Sequence, residues 1–252
     1  MNAAQRLLLI IQAASASGQR GQQAASVWAA SLQINPEQGD RLEALVGPAL
    51  LAMLGELDAV SAGLQDLGVP PSLHESQFQR LREALSPARM REGWDGIVGS
   101  IQSPDVTLAL GWASFVLPNN DTEVPEPERQ ALAALLDELA KELEGASLPQ
   151  ATREYLRRQV QAMQTALRLY AVQGFAAMRD ASGQCVAAAY SAMPAIKAEI
   201  ETQPPARTIV DKCNGIITRV MEACAGAEKL HRGGSAMIDM ADAIRKVTGL
   251  LS

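Results

Sequence analysis

Histidine and cysteine side chains carry out much of the acid–base and nucleophilic chemistry of enzymes, and this sequence contains few of them. Its 252 residues include two histidines, His74 and His231. Neither histidine lies in an H-E-x-x-H motif, and neither has an arginine five residues before it, as in the R-x-x-x-x-H of helical ribonucleases. The chain also lacks a G-x-S-x-G motif and a P-loop. These observations disfavour several common classes of enzyme, and we predict no catalytic residues.

The three cysteines do not form a recognisable site either. Cys224 and His231 are seven residues apart, which places them on one face of a helix but about 10.5 Å apart along its axis, too far for a hydrogen bond. We expect Cys185, Cys213 and Cys224 to be small buried side chains. Their odd number and the absence of a C-x-x-C pair indicate neither a disulfide framework nor a zinc site. The sequence therefore predicts no metal, no cofactor and a cytoplasmic location.

The most concentrated basic cluster consists of Arg153, Arg157 and Arg158. The planar guanidinium binds carboxylates well, so this cluster is our candidate surface for binding an acidic protein partner. The alternative is an ordinary solvated face. Three glutamates of the preceding helix could also pair with these arginines inside the chain: Glu138, Glu142 and Glu144.

Charge is distributed unevenly along the chain. The formal net charge is −6, made up of −10 over residues 1–146 and +4 over residues 147–252. Nucleic-acid binding requires clustered lysine and arginine, so an acidic chain is a poor candidate for it. We predict no nucleic-acid partner.

Composition and periodicity predict the elements that carry these residues. Apolar residues make up 48% of the chain but aromatic residues only 4%, and Ala, Leu and Gln replace the β-branched residues typical of strands. This balance predicts an all-α fold, a multi-helix bundle. The first helix should bury one face near the N-terminus, formed by Leu7, Ile10, Ile11 and Ala14. A secretory signal is the alternative there, but its apolar run would be only five residues long.

Further helices follow between turn signals. Around Pro48, which is expected in a first turn, a long helix should bury residues spaced alternately by four and three: Val46, Leu50, Met53, Leu57, Val60, Leu64 and Leu67. Shorter helices are predicted at 73–85, 88–102 and 104–116, and Ser103 and Pro104 mark the start of the last one. The apolar runs are shorter than the ~18 to 20 residues needed to cross a bilayer, so we predict no integral membrane span.

Residues 118–127 form the best candidate for a domain boundary. The stretch "LPNNDTEVPEP" at 117–127 is rich in Pro, Asn and Asp and has no periodicity. We therefore predict an N-terminal helical region at 1–117 and a C-terminal helical region at 128–252, with a single domain as the alternative.

The C-terminal region should begin with an antiparallel helical hairpin near 128–172. Its helices are predicted at 128–144 and 149–172, each with one apolar stripe, and Gly174 should end the second with a positive φ. The second stripe contains Leu156, Val160, Met163, Leu167 and Tyr170. Later helices are predicted at 175–182, 184–201, 207–230 and 234–250.

One stretch of this region resembles a group of uncharacterised bacterial all-helical proteins. The resemblance rests on a Leu-Pro turn before a helix that ends in A-L-x-x-Y-x-x-x-G, at Leu148, Pro149, Ala166, Leu167, Tyr170 and Gly174. It covers residues 127–181 and implies a helical bacterial protein without implying an activity.

Two classes of function follow. The favoured class is a non-catalytic helical protein that binds another protein, for instance an immunity protein, an antitoxin, an adaptor or a regulatory subunit. The alternative is an enzyme whose carboxylates or thiol converge only in the folded chain.

Overall fold

The protein is all-α, as the composition predicted. The computed structural model describes residues 1–34, 41–119, 124–202 and 204–232. Within them lie ten α-helices: α1 Ala3–Ser17, α2 Ala24–Ser31, α3 Leu42–Asp66, α4 Glu75–Ala84, α5 Asp95–Ile101, α6 Pro104–Val116, α7 Glu126–Gly145, α8 Gln150–Gln173, α9 Phe175–Thr202 and α10 Pro204–Arg232. Two single-turn 3₁₀ helices flank α4, and the described residues contain no strand, only an isolated bridge between Gln23 and Gly93.

The chain forms two compact units. The first is Met1–Asp121 with Ala171–Gly174, and the second is Thr122–Tyr170 with Phe175–Ser252. The short piece Ala171–Gly174 includes the C-terminal end of α8, so the first unit is not continuous in sequence. Division into separate domains at 118–127 stays a prediction.

Helix α1 packs against α2, α3 and α6 in the first unit. All four residues of its predicted apolar face are buried, and the Asn2 side chain caps its N-terminus by accepting from the Gln5 amide at 3.0 Å. The chain then turns at Gly18, where a Cβ would lie 2.1 Å from Nε1 of the buried Trp94. A larger residue at Gly18 would displace this tryptophan, which packs edge-on against Trp28 at 5.4 Å between ring centroids.

Helix α3 buries its predicted seam except at Leu67, which follows the last helical residue and is exposed. The prediction that Pro48 lies in the first turn is wrong, because the helix begins at Leu42 and contains the proline. By length and composition α3 alone among the described helices could cross a bilayer, a test that buried core helices also pass. The absence of a membrane span stays a prediction.

The second unit has one apolar cluster to which α7, α8, α9 and α10 all contribute. At one end of α7 and α8, the Val124 amide donates to Tyr170 Oη at 2.7 Å, and the Arg129 guanidinium lies 4.5 Å from the Tyr170 ring centroid. Gly174 has the expected positive φ, +60°. The pairing of the two apolar stripes along the predicted hairpin stays a prediction.

Two other predictions concern the last helices. The predicted helices 175–182 and 184–201 are one continuous helix, α9, because a single glycine at position 183 costs only about 1 kcal/mol, which packing offsets. The predicted helix 234–250 lies outside the described residues.

Candidate functional site

Helix α6 is apolar on two opposite faces. Its inner face consists of Val106, Leu110 and Ala113, all buried against the rest of the first unit. A surface helix is ordinarily polar on its other side, whereas a helix that is apolar all round is ordinarily buried. The outer face of α6 departs from the pattern of a surface helix, because it is apolar and exposed.

The outer face carries three large apolar side chains. Leu108 is 73% exposed, Trp112 41% and Phe115 89%. Their spacing of four and then three residues aligns them along one side of the helix. The helix has the predicted bounds, 104–116, but its second apolar stripe was not predicted, although the same spacing is visible in the sequence.

Helix α1 extends this surface. It packs against α6 in the opposite direction: the Asn2 Nδ2 donates to the carbonyl oxygens of Ser114 and Leu117, each at 2.9 Å, and the Gln102 Nε2 donates to that of Ser15 at 3.3 Å. We call the exposed side chains of these two helices the α1–α6 face: Gln5, Leu9, Gln12, Ala13, Ala16, Ser17, Pro104, Asp105, Leu108, Trp112 and Phe115.

The α1–α6 face is almost free of charge. The two helices, both fully described, expose one charged side chain, Asp105, at the start of α6. Their only other charged residue, Arg6, is buried. Charged residues are depleted at the centres of protein interfaces, and aromatic residues are enriched there. In composition, the α1–α6 face is therefore typical of an interface centre.

A shallow groove runs beside this stripe and has a volume of about 470 Å³. Its walls are uncharged and come mainly from α1: Ile11, Gln12, Ser15, Ala16, Gln102 and Thr107. The side-chain amides and hydroxyls in these walls could hydrogen-bond a polar group that enters the groove.

Arg6 fixes the position of α1 from its buried side. Its Nε donates to the Val172 carbonyl oxygen at 2.7 Å, and its Nη2 lies 2.7 Å from the Glu56 carboxylate. Val172 lies in the last turn of α8, where backbone carbonyls have no partner within the helix and the helix dipole attracts a cation. Arg6 thus holds α1, α3 and the end of α8 together within the first unit.

A serine, a histidine and a glutamate converge elsewhere in the first unit. Ser61 Oγ is 3.4 Å from His74 Nε2 and donates to Glu75 Oε2, also at 3.4 Å. In a nucleophilic triad the carboxylate accepts from the other imidazole nitrogen and the serine faces substrate. Here His74 Nδ1 has no partner among the described residues, and the side chains of Ser61 and His74 are buried. The geometry is that of a polar contact between α3 and α4.

The three arginines predicted to bind a partner differ in their surroundings. Arg153 is partly buried, and its Nη2 donates to the carbonyl oxygens of Ala146 and Leu148 at 3.0 and 3.2 Å, so it supports the loop between α7 and α8. Arg158 is exposed and lies 3.8 Å from Glu154, and Arg157 is exposed. Their role as a binding surface stays a prediction.

Two of the three glutamates considered as partners of the arginines pair with a lysine of another helix. Glu138 and Glu142 both form ion pairs with Lys212 of α10, the first at 3.6 Å. These two side chains therefore connect α7 to α10, and the arginines at the start of α8 are not their partners.

Cys185 and Cys213 are buried free thiols, as expected. Burial raises the pKa of Cys185 to about 12; burial and the neighbouring Cys185 raise the pKa of Cys213 to about 12. The pKa of Tyr155 is also raised, mainly by burial and to a smaller extent by the neighbouring thiols of Cys213 and Cys185. The side chains of Cys224 and His231, the pair considered above, lie outside the described residues.

We predict that neither Cys185 nor Cys213 reacts with iodoacetamide in the native protein at mildly alkaline pH. The thiolate is the reactive species, and a pKa of about 12 leaves almost none of it, while burial blocks access to the sulfur. Mass spectrometry of peptides after timed alkylation measures both sites. Urea-unfolded protein is the control and should be labelled rapidly, and native labelling at that same rate would contradict the prediction.

Among the described residues, no three His, Cys, Asp or Glu side chains come together in a way that could hold a metal ion. Comparisons with protein-family models, curated proteins and solved structures return no match.

Proposed function

We propose that this chain is a non-catalytic binding protein that recognises a protein partner through the α1–α6 face, as an adaptor, an antitoxin, an immunity protein or a regulatory subunit does. The observation that carries the proposal is the exposed stripe of Leu108, Trp112 and Phe115 on a helix whose other side is already buried. Full burial of an exposed side chain of this size against a partner would contribute about 1.5 to 3 kcal/mol to the free energy of binding.

The lack of charge on the face supports the same proposal. Charged residues make up 20% of the chain, yet α1 and α6 expose only Asp105. A surface that merely contacts water would be expected to carry charge at the average density. The enzyme alternative gains no support from Ser61 and His74, because neither is placed to meet a substrate.

We expect Leu108→Gln/Phe115→Gln to weaken partner binding at least about 100-fold without unfolding the chain. Both side chains are largely exposed, and glutamine keeps a good helix propensity, so the helix should persist. The measurement is affinity capture with the full chain as bait in extracts of its own cells, followed by titration of the captured protein.

Leu51→Gln is the matched control, since Leu51 is an exposed helical leucine of the same unit outside the face. It should bind as the wild type does. If the folded Leu108→Gln/Phe115→Gln variant binds the partner as tightly as the wild type does, the α1–α6 face is not the binding surface. Substrate turnover by the pure protein would contradict the non-catalytic proposal.

The arginine cluster is tested in the same experiment as a second surface. Arg157→Ala/Arg158→Ala removes two exposed charges, and any contribution to an acidic partner should appear as a slower association whose salt dependence is reduced. Binding through the α1–α6 face should instead come from the burial of apolar side chains, and its affinity should depend little on salt.

A further inference from the structure

We propose that the molecule covering the α1–α6 face is a second copy of this chain, packed with its α6 antiparallel to the first. This inference rests on the proposed function and names the partner for the same face. Two properties of the face argue for a second copy, its area and its charge, and the spacing of its apolar side chains argues for the antiparallel direction.

The area matches what a stable dimer requires. Leu9 is 48% exposed, and together with Leu108, Trp112 and Phe115 it presents roughly 500 Å² of apolar surface. A stable interface buries about 800 Å² per partner, and homodimer interfaces are about 65% apolar. The apolar side chains therefore supply close to the expected share, and the exposed glutamines and small residues of α1 supply a polar rim.

The charge distribution favours self-association at this face over others. Each copy has a formal net charge of −6, so two copies repel one another at most orientations. The α1–α6 face brings only Asp105 from each copy near the contact. A strongly charged partner would find no complementary charge here, whereas an identical uncharged surface is complementary to itself.

The spacing of the stripe specifies the direction. Leu108 and Phe115 are seven residues apart, about 10.5 Å along the axis, with Trp112 between them. In an antiparallel pair, Leu108 of each copy lies opposite Phe115 of the other, and Trp112 lies near the two-fold axis. The dipoles of the two helices then point in opposite directions, which is favourable. A parallel pair would place the two Asp105 carboxylates together at the N-terminal ends of both helices.

Sedimentation of the full chain over a range of concentrations tests the proposal. We expect a reversible dimer whose dissociation constant rises at least about 100-fold in Leu108→Gln/Phe115→Gln and is unchanged in Leu51→Gln. Added salt should leave the dimer intact or strengthen it slightly by screening the net charge. Circular dichroism shows whether each variant is folded.

Cross-linking tests the direction. An equimolar mixture of Leu108→Cys chains and Phe115→Cys chains, oxidised gently, should give mainly the mixed dimer joined between positions 108 and 115. Peptide mapping identifies the joined sulfurs and separates them from the native cysteines. Linkage only between identical positions would overturn the antiparallel arrangement.

The two proposals fail in different ways. A wild-type chain that stays monomeric at every concentration, or a dimer that the face variant does not weaken, overturns self-association. If the wild type is monomeric but captures a different protein, and Leu108→Gln/Phe115→Gln abolishes that capture, the proposed function stands with another partner. If the face variant loses nothing, both proposals fail.

Discussion

Replacement of Leu156 by aspartate is expected to destabilise the second unit by at least about 4 kcal/mol. Leu156 is fully buried in the apolar cluster of that unit, midway between the buried Thr152 and Val160 along α8. The substitution removes a packed leucine and places a carboxylate in the apolar cluster. A loss of this size is a large fraction of the about 5 to 15 kcal/mol by which an ordinary domain is stable.

Urea unfolding followed by far-UV circular dichroism measures this loss. Gln161→Asp is the matched control, because Gln161 is exposed on the same helix and the two variants share the cost of aspartate in a helix. The control should lose less than about 1 kcal/mol. The three tryptophans, Trp28, Trp94 and Trp112, all lie in the first unit, so their fluorescence reports that unit separately. Equal unfolding midpoints for the two variants would contradict the assignment of Leu156 to the core.

The choice of Leu156 shows where periodicity succeeds and where it drifts. The predicted stripe on α8 continues from Met163 to Leu167, but the structure buries Ala166 and leaves Leu167 only partly covered. A repeat of four and three residues has a period of 3.5, whereas a straight helix has 3.6, so the buried side rotates along a long helix. Leu167 is the one member of the predicted stripe that is not buried, since Leu156, Val160, Met163 and Tyr170 all are.

Helix ends were predictable where the local chemistry determines them. Pro104 specifies the start of α6 and Gly174 specifies the end of α8, because a proline and a left-handed glycine each act within one turn, whereas the Ser103 side chain makes no capping hydrogen bond. Pro48 and the glycine at 183 were predicted to lie at helix ends, and both predictions were wrong. Both lie inside long helices whose packing outweighs the local cost.

The candidate site was harder to predict than the fold. The apolar stripe of Leu108, Trp112 and Phe115 is present in the sequence, but so is the inner stripe of α6, and spacing alone does not say which of the two is exposed. That distinction depends on α1 packing against one side only, a contact between residues about a hundred positions apart. The arginine cluster could be predicted because its members are close together in the sequence. The backbone carbonyls that accept from Arg153 could not, because their position depends on the fold of the loop between α7 and α8.

Arg6→Met is expected to destabilise the first unit by about 3 to 5 kcal/mol, the second large effect. Methionine keeps the apolar stem of the side chain but removes the donors that reach the carbonyl oxygen of Val172 and the carboxylate of Glu56. That carboxylate is largely buried, so its desolvation is no longer offset by the guanidinium. Arg20→Met is the matched control: Arg20 is exposed in the turn after α1, and its loss should cost less than about 0.5 kcal/mol.

The double variant Arg6→Met/Glu56→Met separates the ion pair from packing. If the cost of Arg6→Met arises mainly from the carboxylate it leaves behind, removing that carboxylate too should restore part of the stability, because apolar side chains of similar volume often replace a buried pair without loss. Tryptophan fluorescence during urea unfolding measures the stability of the first unit in the wild type, the two single variants Arg6→Met and Glu56→Met, and the double variant. Additive losses in the double variant would show that Arg6 acts mainly through its hydrogen bond to the carbonyl oxygen of Val172, and that the pairing with Glu56 contributes little to holding α1 in place beneath the α1–α6 face.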